Sequence, residues 1–398
     1  MLDIVVIGLL LFALGHTNAT MVKDFGLPYK YKLYLHYLLF YHLLFSFVFT
    51  WYILTFGGDS KGYWLFIMEQ VKIANPTWMS YFGEGTTFIL WICYIPSRIL
   101  GLEYITGNIL FGFLGFMGIR YIFLMVANFF PTNHKILGIP LFPAIFFFPN
   151  LHFWTAGVGK DSISFWAIAL FLFAFQYYQK KWWLAVLALF FAYMIRPHIG
   201  QTLIAASAVA LLLGTKMKWQ YKTILTIAAI GASIWLSSKT LEALKLTEYS
   251  VESFEELADN KIANLGKARI GSSVDLTSYS WPFRLFTYLF RPLFADAHNI
   301  ISFLSSFENA LYLYLSFFIY RNWSVEAIKK MPIFMKIAII MFVPVTIAFM
   351  NSLANLGIVM RMKNMTMIYF LLFCFYLIVY AKKERYSKLL KKFASNTE

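Results

Sequence analysis

Charge is what this chain has least of. Asp, Glu, Lys and Arg make up 13% of its 398 residues, about half the share of an ordinary globular domain, which excludes both a soluble single-core protein and a disordered polar chain. Cysteine is nearly missing as well: Cys93 and Cys374 both lie inside apolar runs, so there is no disulfide framework and no metal-ligand spacing. There is no Gly-rich nucleotide loop, no Ser/His/Asp arrangement of usable spacing and no repeat at a fixed period. The two-residue alternation of a transmembrane β-barrel is lacking too. No metal and no cofactor are expected from these residues.

What the chain does have is long apolar runs, with 60% hydrophobic residues. Candidate membrane spans fall at 2–15, 33–55, 108–130, 136–150, 162–178, 182–195, 200–214, 222–238, 298–320, 334–351 and 364–381. The expected fold is all-α, a polytopic transmembrane helical bundle of about eleven spans, read as one domain over 1–398 because no linker interrupts it. The net charge of +15 would point to nucleic acid in a soluble protein. Here the positives gather in short loops, as orientation signals do: Lys23, Lys30 and Lys32; Lys135; Lys180 and Lys181; Lys216 to Lys222; Arg321, Lys329 and Lys330; and the tail from Lys382. With that tail cytoplasmic, all these loops fall on the cytoplasmic side and the N-terminus lies outside. Asp3 stands where a signal peptide would carry basic residues, so residues 1–16 read as a retained span.

Residues 86–100 are apolar enough to tempt a further span, but inserting one would invert every later loop. They are expected instead as an amphipathic or re-entrant helix at the outer interface, broken near Pro96. The outer face then carries two long loops, 56–107 and 239–297. Within the second, 246–267 has the spacing of a surface helix, and 281–293 mixes aromatics with Arg284 and Arg291 as a headgroup-layer segment does.

The stretch 149–200 organises the rest. It reads as a hairpin of two minimal spans with Gln179, Lys180 and Lys181 at its tip, so Lys160, Asp161, Arg196 and His198 come to one level at the other end. Together with Asp59, Glu84, Arg284, Arg291 and Arg361 they place more cations than acids on the outer face, against the usual bias. Arg forks and a Lys point charge are what a phosphate or pyrophosphate group requires. The plainer alternative is that Lys160 pairs with Asp161 or another acid and Arg196 only anchors a helix end. Asp59 follows two glycines at the end of a span and is a candidate general base for an acceptor hydroxyl, or simply a turn aspartate. His198 is a candidate for proton transfer, or a structural histidine after Pro197. Of Arg361 and Lys363, which open the last span, the arginine is the better candidate to hold a ligand.

Four motifs in order, Gly57-Gly58-Asp59-Ser60-x-x-Tyr63, Phe153-Trp154-x-x-Gly157-x-x-Lys160-Asp161-Ser162, Arg196-Pro197-His198 and Gly357-x-x-x-Arg361, give the chain a likeness. It resembles the bacterial polytopic polysaccharide polymerases and related GT-C-like membrane glycosyltransferases. The resemblance implies transfer of a sugar or oligosaccharide from a polyprenyl-(pyro)phosphate donor to a glycan or lipid-linked acceptor, on the outer face of the cytoplasmic membrane. It implies a catalytic place for Asp59 and lipid-phosphate contacts for Arg196 and Arg361; Lys160, Asp161 and Arg291 join them as candidate substrate-binding residues. The chain departs from the GT-C pattern in having no second acid beside Asp59. The expected partners are that donor, that acceptor and membrane lipids, with no nucleic acid. A lipid-linked glycan flippase or other transporter is the rival reading, and a non-catalytic assembly subunit a third.

Overall fold

A computed structural model describes residues 1–69, 76–130, 135–136, 139–214, 218–220, 222–223, 227, 231, 274–276, 278–297 and 299–395. Among the described residues the regular structure is helical apart from one two-residue antiparallel pairing, β1 (Lys135–Ile136) with β2 (Ile139–Pro140). Among the described residues six helices are long and apolar enough to cross a membrane: Leu2–Asp24, Lys30–Phe56, Tyr104–Val126, Ile300–Asn322, Ile333–Ser352 and the segment Leu356–Leu390. The chain is a membrane protein. Although the sequence shows no linker, its contacts gather into two compact units, Met1–Leu203 and Ile204–Glu398. The 246–267 helix and most of the 222–238 span lie outside the described residues.

In the first unit, α1 (Leu2–Asp24) docks by a single stripe, Leu14, Asn18 and Val22, one residue per turn. The next helix, α2 (Lys30–Phe56), buries one face from Tyr31 to Ile53 that includes His42, Ser46 and Thr50. After it come α3 (Asp59–Glu69), α4 (Thr86–Cys93) and a wide π-type turn, Tyr94–Ile99, that holds Pro96. The helix in 86–100 thus ends just before its proline, whose ring and missing N–H prevent regular continuation.

Two helices form the core of this unit, α5 (Tyr104–Val126) and α8 (Lys160–Gln176). Every residue of α8 from Asp161 to Ala174 is buried, as befits a helix apolar all round. Glycines on α5 permit close approach: a β-carbon at Gly115 would overlap the Thr155 carbonyl, and one at Gly112 would meet Ser46 and the Ala156 carbonyl. Contacts also fix the directions. Asn108, Gly118 and Tyr121 of α5 meet Val158, Phe165 and Phe173 in that order, so α5 and α8 are parallel. Asp3 and Asn18 of α1 meet Thr106 and Arg120, which makes α1 parallel to them. By contrast α2 runs against α5, with Thr50 at Asn108 and Tyr31 at Phe123. So does α9 (Tyr178–Ile195) against α8, with Phe191 at Trp166 and Arg196, just past its end, at Asp161.

Parallel α5 and α8 require the chain between them to return the length of the unit. It does so without the continuous helix expected over 136–150. That stretch breaks into β2, α6 (Leu141–Ala144), a 3-10 turn at Ile145–Phe147 and α7 (Pro149–Phe153). Pro140, Pro143 and Pro149 remove the donors a continuous helix needs.

In the second unit, helices α11 (Trp281–Phe290), α12 (Ile300–Asn322), α13 (Val325–Lys330), α14 (Ile333–Ser352) and α15 (Leu356–Ser395) follow in chain order. The start of α12 is capped by Asn299, whose side chain accepts from Ser302 N–H at 2.8 Å. The long helix, α15, has 40 residues, about 60 Å at 1.5 Å each, twice a hydrocarbon core of about 30 Å. Its residues are buried from Met362 through Val379, and the stretch from Lys382 to Leu390 is exposed.

Candidate functional site

Sequence decides how the first unit's cluster is assembled. Pro197 keeps the preceding residue out of the helical region, so α9 ends at Ile195 and Arg196 is extended at φ −147°, ψ 90°. The proline itself opens α10 (Pro197–Gly214), where its missing N–H costs nothing. Arg196 is thereby turned toward the start of α8. Its Nη2 donates to Asp161 Oδ1 at 2.7 Å, with the two side chains 11% and 7% exposed. A charge-assisted bond this short in a mostly dry setting fixes the guanidinium plane. Lys160, one residue earlier, is half-buried, and its Nζ lies 3.6 Å from where a β-carbon on Gly85 would sit. Gly85 has φ +69°, a left-handed value that glycine adopts without strain, and its N–H donates to Met194 O at 2.7 Å. That bond pins the Gly83–Gly85 loop, with Glu84 bonded to Tyr193, beside the same helix ends. His198 is half-buried at the second position of α10.

Asp59 is exposed at the first residue of α3, after Gly57 at φ +83° closes α2. Its neighbour Ser60 is buried and joins a network that the sequence reading missed. The Ser60 hydroxyl lies 3.4 Å from Asn108 Oδ1 and accepts from the Tyr104 hydroxyl at 2.8 Å. Asn108 Oδ1 also accepts from the Val158 N–H at 2.9 Å, while its Nδ2 donates to Thr50 at 2.9 Å. One fully buried amide therefore ties the start of α3 to the loop that leads into Lys160. The signal was a lone Asn inside an apolar helix, a position that is costly unless used. Asp59, Lys160, Asp161 and Arg196 stand at one end of this unit. Lys23 and Lys181 stand at the other.

Arg291 and Arg361 belong to the second unit. Arg291 is held locally: Nε and Nη2 donate to the two oxygens of Asp296 at 2.9 and 2.6 Å, and Nη1 donates to the Tyr279 hydroxyl at 3.2 Å. The bidentate bond to Asp296 keeps the guanidinium charged well beyond its ordinary range. This arginine, a candidate donor-binding residue in the sequence, also anchors a corner between α11 and α12. Arg361 is half-buried in the second turn of α15. The buried cation nearby is Lys363, 1% exposed, whose Nζ donates to Leu289 O at 3.3 Å, Arg291 O at 3.1 Å and Asn309 Oδ1 at 2.7 Å. Three acceptors satisfy its three donors, and two of them are carbonyls at the C-terminal end of α11, where a cation is favoured. On α12 the Tyr312 hydroxyl donates to Glu308 at 3.0 Å.

Among the described residues no group of three or more His, Cys, Asp or Glu could hold a metal ion. Compared with known proteins, the chain matches no family model, no curated protein and no solved structure.

Proposed function

We propose that this protein is a membrane glycosyltransferase or polysaccharide polymerase that takes its sugar from a polyprenyl-(pyro)phosphate donor on the extracytoplasmic face. The observation that supports this reading is the meeting of Lys160 and an Arg196 oriented by Asp161 at the same end of the first unit as Asp59. In this scheme Arg196 and Lys160 neutralise the donor's phosphate, helped by the N-terminus of α8. Asp161 positions Arg196 and does not itself meet the anion, which it would repel. Asp59 accepts the proton of the acceptor hydroxyl, with His198 as the second candidate. The anomeric carbon then loses its bond to the phosphate oxygen and gains one to the acceptor oxygen. With no carboxylate pair for a covalent intermediate at this cluster among the described residues, configuration inverts.

In the same reading the chain crosses the membrane about eleven times, the broken return over 136–153 counting as one crossing, with the N-terminus outside and the C-terminus cytoplasmic. A transporter would carry its polar residues near the midplane, whereas this cluster sits at helix ends. The test is glycan elongation in cells carrying Arg196→Ala or Asp59→Asn. Each is expected to cut elongation by about 100-fold or more with the protein still folded in the membrane. Full activity in both variants rejects the assignment.

A further inference from the structure

At the opposite end of the first unit lies a buried arginine that the transfer scheme does not use. Arg120, 4% exposed, sits on α5 beneath α1. Its Nη1 donates to Thr17 Oγ1 at 2.7 Å and Asn18 Oδ1 at 3.2 Å. Among the described residues no carboxylate pairs with it, its Nε has no acceptor, and neither has Nδ2 of Asn18, which is fully buried. Tyr121 also meets the guanidinium, its ring 5.7 Å from the charge, but no anion does, and two buried donors are costly where nothing accepts from them. They define by chemistry what would satisfy them: an anion with several acceptor oxygens.

The surroundings narrow the class. Tyr121 stacks near Phe173 at 4.7 Å between ring centres, Lys181 Nζ lies 5.7 Å over the Phe173 ring, and Phe25 packs on both Phe173 and Tyr177. An aromatic collar with lysines is what a helical bundle presents at the headgroup layer. Because α1 buries fully only Leu14, Asn18 and Val22, lipid can lie along the seam between α1 and α5.

We infer that Arg120 and Asn18 form a phosphate-binding site, filled by the phosphodiester of an anionic phospholipid entering between α1 and α5. The site stands apart from the proposed transferase centre, at the other end of the unit. It is tested on the full-length protein in detergent, by native mass spectrometry after equal exposure to phosphatidylglycerol and phosphatidylcholine. A parallel arm measures thermal protection by inorganic phosphate. Wild type is expected to retain one phosphatidylglycerol about tenfold over phosphatidylcholine, and Arg120→Gln to bring the two to parity. Asn18→Ala keeps the guanidinium and removes one donor, so it carries the test if Arg120→Gln fails to fold, with an expected drop of about threefold. If inorganic phosphate protects wild type and not Asn18→Ala, the site stands with a soluble source. If lipid retention and phosphate protection are the same in wild type and both variants, the seam holds only water and the proposal falls.

Discussion

Two cations at helix ends, one in each unit, are held in opposite ways. Lys363 is sealed: its three protons go to three oxygens of the second unit, and it is 1% exposed. Arg196 keeps 11% of its side chain open and is oriented by a carboxylate at 2.7 Å. A cation whose donors are all spent on backbone and amide oxygens is a pin, while one held at a partly open helix end can also meet an incoming anion. The difference shows why a count of charges on one face does not identify a site.

That contrast can be broken at its sealed side first. Lys363→Met would strand three buried oxygens and take away the cation near Glu308, and is expected to cost about 3–5 kcal/mol, read as lost thermal stability of the purified protein. Next is Gly115→Val. Its side chain would collide with the Thr155 carbonyl and push away the loop that leads to Lys160, at about 3 kcal/mol and with elongation lost as well. Arg196→Lys probes the open side. It keeps the charge and loses the planar fork, so elongation should fall about tenfold with the melting point nearly unchanged. The smallest effect belongs to the exposed Lys388–Glu384 pair on the tail, where Lys388→Gln should leave both melting and elongation as they are. Equal losses of thermal stability in Lys363→Met and Arg196→Lys would end the contrast.

Much of the helical layout was legible because hydropathy and length are local properties. The spans expected at 108–130, 298–320 and 334–351 match helices Tyr104–Val126, Ile300–Asn322 and Ile333–Ser352 closely. The break in 136–150 is written in its prolines, although its apolar composition alone predicts a continuous span. Within the candidate site, the hairpin brought Lys160, Asp161 and Arg196 to one level, since one helix begins where the next ends, but the Arg196–Asp161 bond itself was not foreseen, because Asp161 stood as the expected partner of Lys160. Asn108 was missed because its partners, Thr50, Ser60 and Val158, lie some 50 residues away on either side. The partners of Lys363 escaped for the same reason, being 54 to 74 residues distant. Asp296 is only five residues from Arg291, so that ion pair could have been foreseen.

The single-stripe docking of α1 bears on how the chain is made. Thr17 and Asn18 leave the ribosome about 100 residues before Arg120, the separation being 103 and 102. When that guanidinium reaches the bilayer, a helix already carrying two oxygens for it is in place. Deleting the first helix should therefore show itself in biogenesis, as failed insertion of α5 and clearance of the newborn chain.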